Sequence, residues 1–109
     1  MFMHNRDADA VACEPGVSRK ILAYNDALMM CEIRFEKGAR GYVHAHPHTQ
    51  ITYVAKGSFR FTVGGDTRTV VQGDSILIPP DAPHGVEALE DSMLVDVFHP
   101  MREDFISST

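Results

Sequence analysis

The stretch HAHPHTQITYVAKG, residues 44–57, places three histidines at alternate positions and then runs into an apolar segment that ends at Gly57. On an extended chain His44 and His46 project from the same side and can approach one metal ion at about 2.1 Å per metal–nitrogen bond. Gln50 keeps the same parity. An H-x-H pair alone is more often a surface or hydrogen-bonded feature, so a metal site here needs support from the surrounding sequence.

An alternation of apolar and polar residues runs through most of the chain and predicts short β-strands. In residues 27–36 one face carries four apolar side chains, Met29, Cys31, Ile33 and Phe35. Other strands, separated by Gly-rich or Pro-rich turns, are predicted at residues 18–24, 49–56, 58–63, 67–71, 75–78, from about 84, and 92–98. No segment has a helical period over ten residues, so the sequence predicts an all-β sandwich or small barrel.

The overall composition excludes several classes of function. A chain of 109 residues accommodates one domain, and its net charge of −5, with scattered basic residues, argues against a nucleic-acid partner. A membrane helix needs about 18 consecutive apolar residues, and no stretch of the sequence is that long. The acidic amino terminus is unlike a signal peptide. We therefore expect a soluble cytoplasmic protein without a membrane partner, in which Cys13 and Cys31 are reduced.

Two blocks of the sequence together carry a more specific signal than the histidines alone. The first contains Gly38, then His44, His46 and Gln50 at fixed spacing, and ends at Gly57. The second contains Gly73, Pro79 and His84, with five residues between the first two and four between the last two. This pattern resembles the two motifs of the cupin family, although Asp81 stands where that family commonly has Gly, and Ala88 where it often has Asn.

The resemblance implies a cupin double-stranded β-helix, or jelly-roll, barrel with a metal ion in its mouth. It implies one divalent ion per chain, with His44, His46, Gln50 and His84 as its ligands. These ligands suit Ni, Zn, Fe(II) and Mn. His48 would lie at the rim, while His4 and His99 are expected in solvent. Cupins usually supply a glutamate at the position of Gln50. A neutral amide leaves the ion its full charge, which favours Lewis-acid chemistry over oxygen chemistry.

Asp96 interrupts the apolar strand of residues 92–98 and shares a face with Leu94 and Phe98. A carboxylate inside a barrel is costly unless it is paired or functional, but an aspartate near the end of a sheet can also face water. Arg102 could fold over the mouth of the barrel and bind a substrate carboxylate, or it could pair on the surface with a neighbouring acid.

Four stretches carry a closer resemblance: GVSRKILAYNDALMMCEIRFEKGA, HAHPHTQITYV, GDSILIPPDAPHGV and LVDVFHPMREDF. Together they resemble the KdgF family of small cupins over nearly the whole chain. This resemblance implies a single cupin domain over residues 16–109, preceded by an N-terminal segment, residues 1–15, that could add a strand. It also implies linearisation of 4,5-unsaturated monouronates from pectin or alginate to 5-keto-4-deoxyuronate. Asp96 and Arg102 would be catalytic, Phe98 would contact the sugar-acid substrate, and Arg102 would also bind its carboxylate.

Two other functions are compatible with a cupin barrel. One is an iron-dependent dioxygenase, and the other is a non-catalytic sugar-binding cupin. Cupins of this size also commonly form homodimers, which we expect here. The apolar face that begins at Met29 could form the dimer interface or belong to the core.

Overall fold

The computed structural model describes residues 1–107, which form two antiparallel sheets. A 3-10 turn at Asn5–Asp7 precedes the strands, and a short helix, α1 (Glu103–Ser107), follows them. The ten strands are, in chain order, β1 Val11–Ala12, β2 Val17–Tyr24, β3 Met29–Phe35, β4 Arg40–His44, β5 Thr49–Lys56, β6 Ser58–Val63, β7 Asp66–Val71, β8 Ser75–Ile78, β9 His84–Ala88 and β10 Ser92–His99. The all-β prediction is confirmed. Within residues 1–107, no helix combines the length and apolarity needed to cross a membrane.

The two sheets face each other across one apolar core. The larger has the strand order β1-β2-β3-β10-β5-β8, and the smaller has the order β4-β9-β6-β7. Eight buried apolar residues fill the space between them: Val17, Phe35, Val54, Phe59, Phe61, Ile78, Ala88 and Leu94. Near the centre the rings of Phe35 and Phe59 pack edge to face, with their centroids 5.1 Å apart. Phe35 and Phe59 thus connect the two sheets, since Phe35 lies on β3 of the larger sheet and Phe59 on β6 of the smaller one.

The apolar face of β3 belongs to the core of the single chain. Met29 and Cys31 are fully buried and pack against Phe98, and Phe35 lies in the cluster between the sheets. Of the two roles considered for this face, the structure therefore favours the core. A homodimer, which remains a prediction, would need another surface.

The opposite face of β3 departs from simple alternation at Glu32. This side chain is buried because Asn5 Nδ2 donates a hydrogen bond to Oε1 over 3.1 Å, and Arg34 Nε donates to Oε2 over 3.2 Å. Asn5 is also fixed by Lys20, whose Nζ lies 2.8 Å from Oδ1. The N-terminal segment thus folds over the outer face of β2 and β3, and β1 pairs with β2 at the sheet edge.

Strand β10 lies in the middle of the larger sheet, between β3 and β5, and alternates as the sequence predicts. Leu94, Asp96 and Phe98 are buried on the inner face. Asp96 aligns with Thr52 on β5, and Phe98 aligns with Gln50. The pairing of β5 with β10 therefore places the carboxylate beside the strand that follows the histidines.

The turn between β5 and β6 requires glycine, since Gly57 has a φ of +80°. A Cβ here would lie 2.7 Å from Ser92 Cβ and 2.9 Å from the Asp91 carbonyl oxygen. We expect Gly57→Ala to lower the free energy of unfolding by about 2–4 kcal/mol, the sum of left-handed strain and overpacking. Urea denaturation monitored by circular dichroism measures this loss.

Gly64→Ala is the matched control. Gly64 also has a positive φ, +59°, but a Cβ there would meet open space. Gly64→Ala should therefore lower the free energy of unfolding by only about 1 kcal/mol, the cost of left-handed strain. Equal losses in the two variants would contradict the steric account of Gly57.

Candidate metal centre

The histidine segment passes from one sheet to the other. His44 is the last residue of β4 in the smaller sheet, the chain bends at Pro47 and His48, and Gln50 lies in β5 of the larger sheet. Gln50 keeps the parity of His44 in the sequence, but the bend at Pro47, a residue that can break the alternation, places the two on different sheets. Because Pro47 interrupts the strand, the side chains converge across the barrel mouth and do not line up along one edge.

His84 reaches the same place from a distant part of the chain. It opens β9 and pairs directly with His44, so that the two rings lie 4.4 Å apart, centroid to centroid. The loop before it is anchored by Asp81, whose backbone N–H donates to the His46 carbonyl over 2.8 Å. Asp81 has a φ of +65°, which explains why glycine is common at this position in cupins.

Three histidines form a cluster that can hold a metal ion. One ring nitrogen from each of His44, His46 and His84 lies within 4.8 Å of the others. His44 Nδ1–H donates to the Tyr42 carbonyl and His84 Nδ1–H donates to the Ala82 carbonyl, both over 2.9 Å. These bonds fix the tautomer, so that each Nε2 presents its lone pair to the cavity. His84 Nε2 is buried without a partner among residues 1–107.

The environment also favours the neutral form of His46 and of His84, as metal binding requires. Burial lowers the pKa of His46 to about 4, and the positive charge of Arg102 contributes to the shift. Burial likewise lowers the pKa of His84. Neutral imidazoles with converging lone pairs suit a divalent ion, so the residues present fit the metal that a cupin barrel implies.

Gln50 lies beside the cluster, and a chain of hydrogen bonds fixes its amide. Thr52 Oγ1 donates to Asp96 Oδ1 over 2.6 Å and accepts a hydrogen bond from Gln50 Nε2 over 2.9 Å. The amide oxygen is thereby turned toward the histidines, where Oε1 lies 2.9 Å from His46 Nε2. Two donors bound at right angles to one ion at about 2.1 Å lie about 3.0 Å apart, close to this spacing.

Asp96 lies at the other end of this series of hydrogen bonds, on the inner face of β10. Burial raises its pKa to about 6, while hydrogen bonds from Thr52 and Gln50 oppose the shift. Of the two alternatives considered for Asp96, the interior position is the one observed. A carboxyl group with a pKa near neutrality can both accept and release a proton under ordinary conditions.

Phe98 and Arg102 are the last two of the site residues predicted from the sequence. Phe98 is 2% exposed, and its ring centroid lies 5.7 Å from that of His46. Arg102 folds back over the barrel, with Cζ 5.1 Å from the Phe98 ring centroid and 4.2 Å from that of Phe105. It also forms a two-point ion pair with Asp104, through contacts of 3.0 and 2.7 Å. Both roles considered for Arg102 are thus compatible with its position.

A cavity of about 330 Å³ opens at this end of the barrel, a size that suits a small ligand. Six of the seven predicted site residues line it: His44, Gln50, His84, Asp96, Phe98 and Arg102. His46 lies behind them, against Phe98. The structure therefore brings the predicted site residues together around one opening.

The remaining histidines are not part of the possible ligand set, although the His48 ring packs against His46 with the centroids 5.2 Å apart. His48 Nε2 lies 3.1 Å from the Met101 carbonyl oxygen and connects the bend after β4 to the C-terminal segment. His4 and His99 are exposed. The two cysteines are both free, and burial followed by the charge of Asp96 raises the pKa of Cys31 to about 12, so this thiol is inert.

Sequence reasoning missed two polar residues of the cavity region. Thr52, which connects Gln50 to Asp96, is fully buried and follows Gln50 by two residues on the same face of β5. Arg19 lines the cavity from β2, where it lies on the same face as Val17 and Ile21. In each case the alternation of the strand carried the signal, since a polar residue occupied an inward position.

Comparisons with known proteins agree with this geometry. Residues 31–98, more than half of the chain, match the cupin domain family. The pectin degradation protein KdgF of Dickeya dadantii is 44% identical over 93 residues, which are 84% of each chain. The structure of KdgF from a Halomonas species superposes with a TM-score of 0.91 at 39% identity, over 96% of this chain and 97% of that one.

An RmlC-like cupin from Shewanella frigidimarina gives a TM-score of 0.92 at 39% identity, over 95% of this chain and 94% of its own. The jelly-roll prediction is thus confirmed by proteins of matching length. With its two-sheet barrel, its histidine cluster and its similarity to KdgF proteins, this chain belongs to the cupin family, among the relatives of KdgF.

Proposed function

We propose that this protein is an isomerase that linearises 4,5-unsaturated monouronates, the sugar acids released from pectin or alginate, to 5-keto-4-deoxyuronate. The observation that carries the proposal is a buried carboxyl group, Asp96, joined through Thr52 to Gln50 beside three histidines in one cavity. The similarity to KdgF proteins, named for pectin degradation, supports the same class of substrate.

Asp96 acts as the proton carrier in this proposal. As a base it takes the proton of the anomeric hydroxyl at C1, and the bond between C1 and the ring oxygen breaks. The electron pair stays on that oxygen, which becomes the enolate at C5. Asp96 then returns the proton to C4, so that no atom is gained or lost. A pKa of about 6 suits both half-steps.

Phe98 and Arg102 hold the sugar acid in place. The Phe98 ring forms an apolar wall of the cavity beside Asp96, two residues away on the inner face of β10. Arg102 is held over this ring and over Phe105, where its guanidinium can face a carboxylate. Because these side chains are buried and packed, the substrate would be oriented by a preformed cavity.

His44, His46, Gln50 and His84 would hold one divalent ion per chain, with nickel, zinc, iron(II) and manganese all suited to these donors. Such an ion supplies Lewis-acid stabilisation of negative charge that develops on oxygen. Three imidazoles and an amide are neutral and leave the ion its full charge, which favours this chemistry over iron-dependent dioxygenation. A cytoplasmic location and a homodimer are further predictions of this proposal.

The purified protein should accelerate the loss of absorbance from the conjugated double bond of lyase-generated unsaturated monouronates. Removing divalent metal with a chelator should abolish the acceleration, and adding the metal back should restore it, because Lewis-acid stabilisation is required. Elemental analysis of the same sample identifies the metal. Asp96→Asn, which cannot accept the proton, should lower kcat at least about 100-fold, as expected for loss of a general base.

Wild-type protein with bound metal that gives no acceleration would contradict the proposed reaction. Full activity in Asp96→Asn would refute the role of Asp96 alone. Asp9→Asn, at an exposed aspartate of the N-terminal segment, is the matched control and should keep wild-type activity.

Asp96→Asn should also make the metal-free protein more stable at neutral pH. The folded state raises the pKa of Asp96 from 3.8 to about 6, so its ionisation costs folding free energy as the pH rises through this window. The cost reaches about 3 kcal/mol above pH 6 and vanishes below about pH 4. Asparagine does not ionise and retains an oxygen that can accept from Thr52.

Urea denaturation of both metal-free proteins at pH 4 and pH 7.5 measures this effect. The stability difference between Asp96→Asn and wild type should grow across the window and stay level above it. A variant equally destabilised at both values would show that Asp96 is a structural acceptor without an ionisation cost.

A further inference from the structure

Two guanidinium groups line the cavity, and they differ in how their charge is compensated. Arg102 gives Nε and Nη2 to the carboxylate of Asp104, at 3.0 and 2.7 Å. Arg19 has no hydrogen-bond or ion-pair partner among residues 1–107, and its Nε is buried. The charge of Arg102 is therefore neutralised within the protein, whereas that of Arg19 is not.

Arg19 is an inward-facing residue of the barrel wall. It aligns with Ile33 on β3, and Ile33 in turn aligns with Leu94 on β10, one inward position before Asp96. Its neighbours on the inner face of β2 are apolar, Val17 and Ile21. A long surface arginine normally extends into water, so an inward arginine among apolar residues has an energetic cost that needs a compensating contact.

The aromatic ring of Phe105 holds Arg19 in place. The Arg19 Cζ lies 3.7 Å from the centroid of this ring, and the Arg102 Cζ lies 4.2 Å from the same centroid. Stacking of this kind restricts a guanidinium plane and leaves its N–H edges available. Glu14 lines the same cavity but forms no ion pair with Arg19 in the described part of the chain.

We propose that Arg19 is the substrate-binding residue that supplies the uncompensated positive charge for the carboxylate of the sugar acid, with Arg102 as the second arm of the clamp. This inference rests on the proposed function, in which the cavity receives a uronate. An anionic ligand in the cavity that Arg19 lines would give its guanidinium group the charge partner that the described residues do not provide. The pair would then select carboxylated sugars over neutral sugars of the same shape.

Arg19→Met tests this role, since it removes the charge and keeps much of the side-chain length. We expect KM for the unsaturated monouronate to rise about 10- to 100-fold, the usual effect of deleting a charged hydrogen bond, with kcat changed less than about threefold. Arg19→Lys should recover part of the loss. Arg68→Met, at an exposed arginine of β7, is the control and should leave both constants unchanged.

Equilibrium binding separates this inference from the proposed reaction. Isothermal titration with galacturonate and with its methyl ester needs no turnover. Wild type should prefer the acid, and Arg19→Met should lose the preference while its thermal midpoint stays equal or rises, because an inward-facing cation without an ion-pair partner has been removed. Absence of turnover in wild type, with the preference intact, would refute the reaction but support Arg19. Equal preference in wild type and Arg19→Met, or no preference in wild type, would overturn the inference.

Discussion

A hydroxyl group has one proton to donate, and the arrangement of this cavity depends on where Thr52 donates its proton. The proton points to Asp96, so the Thr52 oxygen must accept from the residue at position 50. Glutamine can donate from its nitrogen and still turn an oxygen toward the histidines. An ionised glutamate could not donate, and Thr52 would then lie between two acceptors with one proton. The unusual amide of the histidine segment is thus matched to a carboxyl group on another strand.

The glutamine at position 50 also determines the charge beside Asp96. The neutral amide places no second negative charge beside Asp96, whose proton affinity is already raised by burial. The buried polar chain from Asp96 through Thr52 to the Gln50 amide nitrogen is paired at each step, as a low-dielectric interior requires. Among residues 1–107, the buried side-chain nitrogens that lack partners belong to Arg19, His46, His48 and His84; Arg19 and His84 line the cavity, and His46 packs between His48 and His84. Unpaired buried polar groups gathered at one cavity are typical of a site that completes its bonds with a ligand.

Much of this could be predicted from the sequence because it depends on local periodicity. Alternation in β10 placed Asp96 and Phe98 on one inward face, and the spacing of His44, His46 and His84 indicated the cluster. Pro47 indicated a break in the alternation, but the passage of the chain from one sheet to the other could not be predicted, since it depends on pairing of β4 with β9. The burial of Glu32 depends on Asn5, which is distant in sequence. Thr52 and Arg19 had the right parity, but their importance depends on partners across the barrel.

We propose that His44, His46, His84 and the Gln50 oxygen together hold one ion. X-ray absorption at the metal edge of the zinc-loaded protein, compared with the same measurement on His84→Ala, tests it most directly. We expect scattering from three imidazoles and at least one oxygen at about 2.1 Å in wild type, and from two imidazoles in the variant. A wild-type spectrum with fewer than three imidazoles, or one unchanged by His84→Ala, would contradict the account.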